Sequence, residues 1–523
     1  MRPTRLTATL PALLLALLPG ALPAQGRPAQ PPPGFDALVE RVLRTFEIPG
    51  LTVAIVKDGQ VVLARGYGVR RQGEPAPVDA ATRFGIASNS KAFTALALGL
   101  LVEEGKLEWD APVVRYLPEF QMWDPWVTRE LTVRDLLVHR SGFGLGAGDL
   151  LWWPPTTYDR PEIMRRLRFI KPATSFRSAY AYDNVLYLVA GQLIERVSGS
   201  PWEDFVSARI LRPVGMTGAT VLHSAAGDTA GNVAGTYARV EGRMAPVKPF
   251  LSDNTNPAGG INAGAADMAR WLVALLDSGR VGEQRLWSQR TTRELWEMVV
   301  PIRPGSPPPG LEPARATFNG YALGFFVRDW RGRKLVTHTG GLPGYISRVA
   351  MIPDLKLGVA VLQNAEAPGH DILTWTVLDH YLGAKHDWLG AYTALWHRAD
   401  SMAAVARAAA AAARDSTSRP SLPLERYAGT YRDAWYGDVA LAMEGSGLAI
   451  RFTRSPDLVG DLVHWQYDTF LVRWRDRTLR ADAYISFALD ETGRPAHALM
   501  KPASDEVDFS FDFQDLDLRR VDQ

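Results

Sequence analysis

The character of the chain changes at one place, and that change sets what it can fold into. Up to about residue 400, helix-like and strand-like periodicities alternate; beyond residue 421 only short alternating runs remain. Between them lies SMAAVARAAAAAARDSTSRP (401–420), which begins as an alanine-rich helix and decays into Ser, Thr and Pro, the composition of a linker. At 523 residues the chain is too long for a single hydrophobic core. The reading is a mixed α+β domain over 35–400, a helix and linker over 401–421, and a small all-β domain over 422–523.

In the first domain, LTVAIV and QVVLARGYGV flank Lys57-Asp58-Gly59, a strong hairpin signal. Helices are expected over 88–104, 132–142 (TVRDLLVHRSG), 183–199 (DNVLYLVAGQLIERVSG) and 265–279 (AADMARWLVALLDSG). Strands return at 334–341, 345–353 and 357–365, and a helix over 371–383 would pack on them. The hairpin and these late strands are expected to share one antiparallel sheet flanked by helices, with the helical middle as a separate lobe. In the second domain the runs VALAME, LAIRF, HWQYDTFLVRW, AYISFALD, HALMK and VDFSFDF, separated by turn residues, predict a β-barrel or sandwich.

The first residues read as an address. Arg2 and Arg5 precede the apolar run LPALLLALLPGALPA, which ends in small residues near Ala24. That is the layout of a secretory signal (1–24), here followed by a flexible leader (25–34). The apolar run is short for a bilayer, so the expectation is an exported protein, periplasmic or extracellular, with no stable membrane span after cleavage. The chain has no cysteine, which removes disulfides, cysteine-linked lipid and cysteine-based zinc sites. No His-Glu-x-x-His occurs either, and no metal or other cofactor is expected. A formal net charge of +2 without a basic run argues against nucleic acid as a partner. The expected partner is a small-molecule or peptide substrate; the oligomeric state is unknown from sequence.

One lysine stands out. Lys91 lies in GIASNSKAFTALALGLL (85–101), three residues after Ser88, on a segment suited to burial. Of nine lysines it alone forms Ser-x-x-Lys. Residues three apart share a helix face. A serine hydroxyl needs a base to become a nucleophile, and an amine can serve once burial makes it neutral. The pair also admits a plain reading, with Ser88 capping a helix and Lys91 solvated on its first turn. Two later stretches bear on the choice. Tyr182 and Asn184 stand two apart at a helix start, and His338-Thr339-Gly340, followed by Gly341, ends a strand.

The order Ser-x-x-Lys, Tyr-x-Asn, His-Thr-Gly resembles the serine β-lactamase and penicillin-binding protein superfamily, in particular its class C-like branch of DD-peptidases, esterases and D-amino-acid peptidases. LTVRDLLVHRSG, PAGGINAGAADMARW and HTGGLPGYISRVAMIP are similar to that branch as well, and the resemblance spans about residues 35–385. It implies a β-lactamase/transpeptidase-like fold with Ser88 as the acylated nucleophile and Lys91 in the proton path. Tyr182 would be the phenol or phenolate that moves protons, and Asn184 would bond the substrate amide and Lys91. It further implies an oxyanion hole from the backbone N–H groups of Ser88 and Gly341, donors worth about 3 kcal/mol each. His338, Thr339 and Gly340 would bind substrate. Whether Lys91 or Tyr182 is the principal base stays open, and the two would titrate as one unit.

The implied activity is an exported serine hydrolase forming an acyl-enzyme on a D-amino-acid peptide or small ester; the alternatives are a β-lactamase and a non-hydrolytic penicillin-binding sensor. His338 replaces the lysine usual in β-lactamases with a mostly neutral imidazole that would donate to a substrate carboxylate, which favours the peptidase and esterase reading. His139 sits in a packing motif and reads as structural. Trp152 and Trp153 read as core packing or as a cleft wall. From Leu422 the pattern, with LERYAGTY, resembles the lipocalin-like β-domain appended to some members, a module that would cover the cleft, mediate assembly or only stabilise.

Overall fold

The protein is described by a computed structural model over residues 29–521. The expected signal sequence lies outside the described residues, as does the leader up to residue 28.

Strands β1 (Gly50–Lys57) and β2 (Gln60–Gly68) form the expected hairpin. Its turn places Asp58 and Gly59 at φ of 52° and 75°, the left-handed pair a two-residue hairpin turn requires. The later strands are β3 (Val300–Pro301), β4 (Asn319–Tyr321), β5 (Phe326–Trp330), β6 (Arg333–Leu342), β7 (Tyr345–Ile352) and β8 (Leu357–Gln363). They join the hairpin in one eight-stranded antiparallel sheet of order β2-β1-β8-β7-β6-β5-β4-β3. The helices that shape the domain are α1 (Phe35–Thr45), α2 (Lys91–Glu103), α3 (Val185–Ser198), α4 (Ala265–Leu276), α5 (Gly369–Tyr381) and α6 (Trp388–Ala413). Both sheet faces are covered. Val53 and Ile55 of β1 share a core with α1 and α5, whereas Ala54 and Val56 share the larger core with α2, α3 and α4. Period-two alternation therefore feeds two buried faces, which is why β1 reads as one continuous apolar run.

Helix α2 is buried on every side from Lys91 to Leu101, as its unbroken apolar character requires. It begins at Lys91, not at 88, because Ala87–Ser90 wind into a 3₁₀ turn. The helix expected over 132–142 shrinks to a 3₁₀ turn at Arg134–Leu137. There the Asp135 carboxylate accepts from Thr132 N–H at 3.0 Å and from Arg140 Nε at 2.7 Å, so side-chain bonds hold a loop in place of a ladder. Helix α6 starts well before the alanine run. Trp388, Leu389 and Tyr392 bury its first turns, and the alanine half is exposed.

The second domain is a closed barrel of β9 (Gly429–Asp433), β10 (Gly437–Glu444), β11 (Gly447–Phe452), β12 (Val459–Gln466), β13 (Thr469–Trp474), β14 (Ala483–Leu489), β15 (Pro495–Pro502) and β16 (Leu518–Arg520). Each strand pairs with the next, and closure comes from Tyr431 opposite Arg520. Tyr427, Tyr431, Phe452, Phe470 and Trp474 fill the inside, so the barrel is a packed core. The run VDFSFDF (507–513) is not a strand. It leaves the barrel between β15 and β16 and enters the first domain, where the Asp512 carboxylate accepts from Gly148 N–H at 2.7 Å and Leu150 N–H at 3.0 Å. Its alternation is real but serves two neighbours: Phe511 and Phe513 pack inward, and Phe509 stays exposed. Arg166 donates to Trp435 O at 2.8 Å, and Arg480 grips Glu366 with bonds of 2.8 and 2.7 Å. The larger of the two cores runs through both domains, while the core under α1 and α5 stays within the first.

Candidate active site

The 3₁₀ turn that carries Ser88 is clamped from three directions. Asn89 Nδ2 donates to Ser347 Oγ at 2.7 Å, and Ser347 Oγ donates to Ile86 O at 2.7 Å. Ile261 N–H donates to Ser90 Oγ at 3.1 Å. Within this clamp Ala87 adopts φ of 50°, a left-handed conformation that a residue with a Cβ holds only when its surroundings enforce it. β6 supplies the last wall. A Cβ on Gly340 would lie 2.2 Å from Ile86 O, so only glycine allows the strand this close to the turn.

Neither plain reading of the serine–lysine pair holds. Ser88 makes no helix cap, and Lys91 is fully buried. Lys91 Nζ lies 3.1 Å from Ser88 Oγ, 2.7 Å from Asn184 Oδ1 and 3.0 Å from Ala258 O. Two of these partners can only accept; the third is a hydroxyl that can also donate. A neutral amine therefore gives its two N–H bonds to Asn184 and Ala258 and turns its lone pair to Ser88. Burial pushes the Lys91 amine down from 10.5 to about 7, against the opposing charges of Asp149 and Asp183. The Tyr182 and Tyr187 rings pack at 5.0 and 5.1 Å from Nζ.

Asn184 stands at the start of α3 but makes no capping bond there. It bridges instead: Nδ2 donates to Asp149 Oδ2 at 2.8 Å while Oδ1 holds Lys91. Tyr182 is half-buried beside the pair, and its Oη has no partner at hydrogen-bonding distance. Burial drives its phenol above the ordinary range, and the nearby Ser88 hydroxyl opposes that only in part. His139, fully buried at φ of 59°, packs against the Tyr182 ring at 4.2 Å, and its Nδ1 accepts from Asp183 N–H at 3.2 Å. His338 also lines the cleft, but both ring nitrogens are engaged inside the protein, Nε2 with Tyr321 Oη at 2.9 Å and Nδ1 with Thr339 O. Burial pushes it down to about 3, so it is a neutral wall with no N–H to spare for a substrate. Thr339 and Gly341 reach the cleft surface. β6 pairs with β5 only as far as Thr337, so residues 338–342 keep a ladder bond to β7 alone and present a free edge.

These groups line a cleft of about 300 Å³ that holds Ser88, Tyr182, Asn184 and Gly341 together. Trp152 and Trp153 are packed in the core and line this cleft too, so the two readings of that pair coexist. The barrel supplies the remaining wall. Asp508, Phe509 and Ser510 all border the cleft, and Phe509 stands edge-on to Tyr182 at 6.1 Å. Ser510 Oγ donates to Asp149 Oδ2 at 2.8 Å, and Trp152 Nε1 donates to Asp149 Oδ1 at 2.8 Å. Asp149, fully buried, is pushed up to about 7 by burial, and these donors with Asn184 restrain it. Sequence reasoning missed Asp149 and Ser510. Asp149 sits in a glycine-rich loop without a motif, and Ser510 lies in the run expected to be a strand.

A buried amine resting on a serine hydroxyl at the floor of a cleft defines a serine hydrolase. The chain belongs to the Beta-lactamase family, which it matches over residues 35–382. Residues 413–520 match a domain of unknown function (DUF3471). Among its relatives, the Unguisins hydrolase ungD of Aspergillus violaceofuscus is 28% identical over 464 residues, covering 80% of this chain and 78% of that protein. Protein flp of Staphylococcus aureus (strain MRSA252) is 25% identical over 337 residues, covering 63% of this chain and 62% of that protein. The octameric penicillin-binding protein homologue from Pyrococcus abyssi superposes with a TM-score of 0.58 at 23% identity, over 90% of this chain and 97% of that one. The penicillin binding protein from Bacillus halodurans gives 0.54 at 21% identity, over 65% of this chain and 98% of that one. At these identities the two structures share the fold.

Proposed function

We propose that the protein hydrolyses an amide or ester through an acyl-enzyme on Ser88, with Lys91 as the resting base and Tyr182 as a neutral phenol carrying protons. The observation that carries this is the Lys91 amine, buried, pushed down to about 7 and 3.1 Å from Ser88 Oγ. A phenol driven above its ordinary range is a poor resting base and a good proton carrier, which assigns the two roles. As Oγ bonds to the substrate carbonyl carbon, its proton passes to Lys91 Nζ. The oxyanion would be received by the Ser88 and Gly341 N–H groups, and the proton would go on to the leaving group through Tyr182, whose Oη has no partner of its own until substrate fills the cleft between them. Water then attacks the acyl-enzyme by the reverse path. The free edge of β6 at Thr339–Gly341 would hold an extended substrate by backbone bonds, with the Asn184 amide beside it.

With His338 neutral and engaged, position 338 offers no cation to a substrate carboxylate, which favours small esters, and D-peptides whose acid is not held there, over β-lactams. The signal layout of residues 1–24 supports a place outside the cytoplasm. The test is a rate panel on a D-alanyl peptide, a p-nitrophenyl ester and a chromogenic cephalosporin, with intact mass spectra. Ser88→Ala should abolish turnover and adduct alike. An adduct on another residue, or turnover surviving the substitution, refutes the assignment; a wild-type adduct that never releases makes the protein a sensor.

A further inference from the structure

The barrel's excursion at 507–513 does more than border the cleft. Four side chains form a continuous hydrogen-bonded line from the second domain to the nucleophile. Ser510 Oγ donates to Asp149 Oδ2 at 2.8 Å, Asn184 Nδ2 donates to the same oxygen at 2.8 Å, and Asn184 Oδ1 accepts from Lys91 Nζ at 2.7 Å. Asp149 and Lys91 are fully exposure-free, Ser510 and Asn184 nearly so, and no water is needed to join them. The excursion is anchored independently of Ser510, by Asp512 on Gly148 and Leu150 N–H and by the packing of Phe511 against Trp153. Asp508, raised by burial, also faces Ser510: its carboxylate accepts from Ser510 N–H at 2.9 Å, and the Ser510 hydroxyl lies near it.

We propose that Ser510 is a positioning residue of the hydrolytic site: its hydroxyl fixes the Asp149 carboxylate, which fixes Asn184 and through it the Lys91 amine. The role rests on Lys91 acting as the base, as argued above. The charges around the line determine how its loss would register. Lys91 faces the acids Asp149 and Asp183, the phenols Tyr182 and Tyr187, and the imidazoles His139, His223 and His338. Burial lowers all three imidazoles and raises both phenols, so these groups stay neutral around pH 7. Asp149 faces Lys91 on one side and Asp512, itself driven well up by burial, on the other. Ser510 is thus a donor that favours the ionised form of Asp149, and ionised Asp149 favours protonated Lys91. Without the hydroxyl, Asp149 keeps its proton to higher pH and Lys91 loses its own at lower pH.

The experiment titrates Lys91 by ¹⁵N-lysine NMR, tractable with nine lysines, in the wild type, Ser510→Ala, Asp149→Asn and the double variant, alongside ester kinetics and melting curves. Ser510→Ala should lower the Lys91 midpoint by about half a pH unit and kcat by about tenfold. In the Asp149→Asn background the same substitution should leave the midpoint where it is. A fall in melting temperature and kcat with an unmoved Lys91 midpoint would mean that Ser510 only packs, and overturns the proposal. So does a midpoint shift that persists in the Asp149→Asn background. Should Ser510→Ala not fold, Ser510→Cys keeps the volume with a weak donor and carries the same reading. A coupled Lys91 titration in a protein without Ser88-dependent turnover would refute the proposed function and leave the coupling standing.

Discussion

Replacing Lys91 by methionine should abolish turnover and yet stabilise the protein near neutral pH, by an amount that vanishes as the pH rises. The amine falls from 10.5 in water to about 7 when folded, which corresponds to about 5 kcal/mol of unfavourable burial at or below pH 7. Because the folded value is the lower one, the unfolded chain binds the extra proton between pH 7 and 10.5. Wild-type stability therefore climbs across that window by about 1.4 kcal/mol per pH unit. Methionine removes the charge but strands Asn184 Oδ1 and Ala258 O, each at a cost of about 1–2 kcal/mol. The balance at pH 7 is a gain of about 1–3 kcal/mol, and by pH 9.5 the variant should have lost about 3 kcal/mol relative to the wild type. Loss of the cation would also push Asp149 further up, which moves the difference in the same direction. Urea unfolding of both proteins at pH 7.0, 8.0 and 9.5 measures it. A stability difference that stays flat across those values would mean that Lys91 keeps its ordinary affinity for the proton, and the assignment of the base would fall with it.

The other predictions test separate parts of the site. The acylation rate should rise with pH to a midpoint near 7 and level off by about pH 8, as the neutral form of Lys91 fills; a rate already flat from pH 5 refutes Lys91 as base. Gly340→Ala should push Ile86 and the Ser88 turn aside, costing about 2–4 kcal/mol in unfolding and most of the turnover, since its Cβ would meet Ile86 O at 2.2 Å. Wild-type kinetics in that variant would show the turn to be loosely held. Asp512→Ala leaves Gly148 and Leu150 N–H unpaired in the interior, with a loss of about 2–4 kcal/mol and a raised KM, read by melting and steady-state rates. A chain ending at Asp415 uncovers the shared core and should be recovered only as aggregate, by size-exclusion chromatography.

Much of this architecture was legible from periodicity, and what was not has physical causes. The hairpin, the late strands, α3 and α4 carry strong local signals: Asp-Gly turn chemistry, β-branched alternation and glycine stops. Ser88, Lys91, Tyr182 and Asn184 were legible as a spaced set; the structure brings Ser88, Tyr182 and Asn184 to one cleft, with Lys91 buried beneath Ser88. The failures lie where long-range bonds override local preference. Asp135 folds residues 132–142 into a loop by side-chain bonds to Thr132, Arg140 and Arg177. The alternation of 507–513 has the period of a strand, but its apolar positions answer to two different domains. Asp149 and Ser510 are separated by 361 residues, and nothing local announces that one will bond the other. His338 was read as a donor to substrate; that it lies turned toward Tyr321 depends on a neighbouring strand.

The strap at 507–513 also sets an order of events for the newborn chain. The residues proposed to do the chemistry lie in the first domain, but the bond to Asp149 and the plug over Gly148 and Leu150 come from Ser510 and Asp512, which are made much later. A polypeptide emerging amino end first holds an unfinished site until those residues arrive. If Ser510 positions the site as proposed, synthesis itself is the timer: a copy made only as far as the first domain lacks both the bond to Asp149 and the plug.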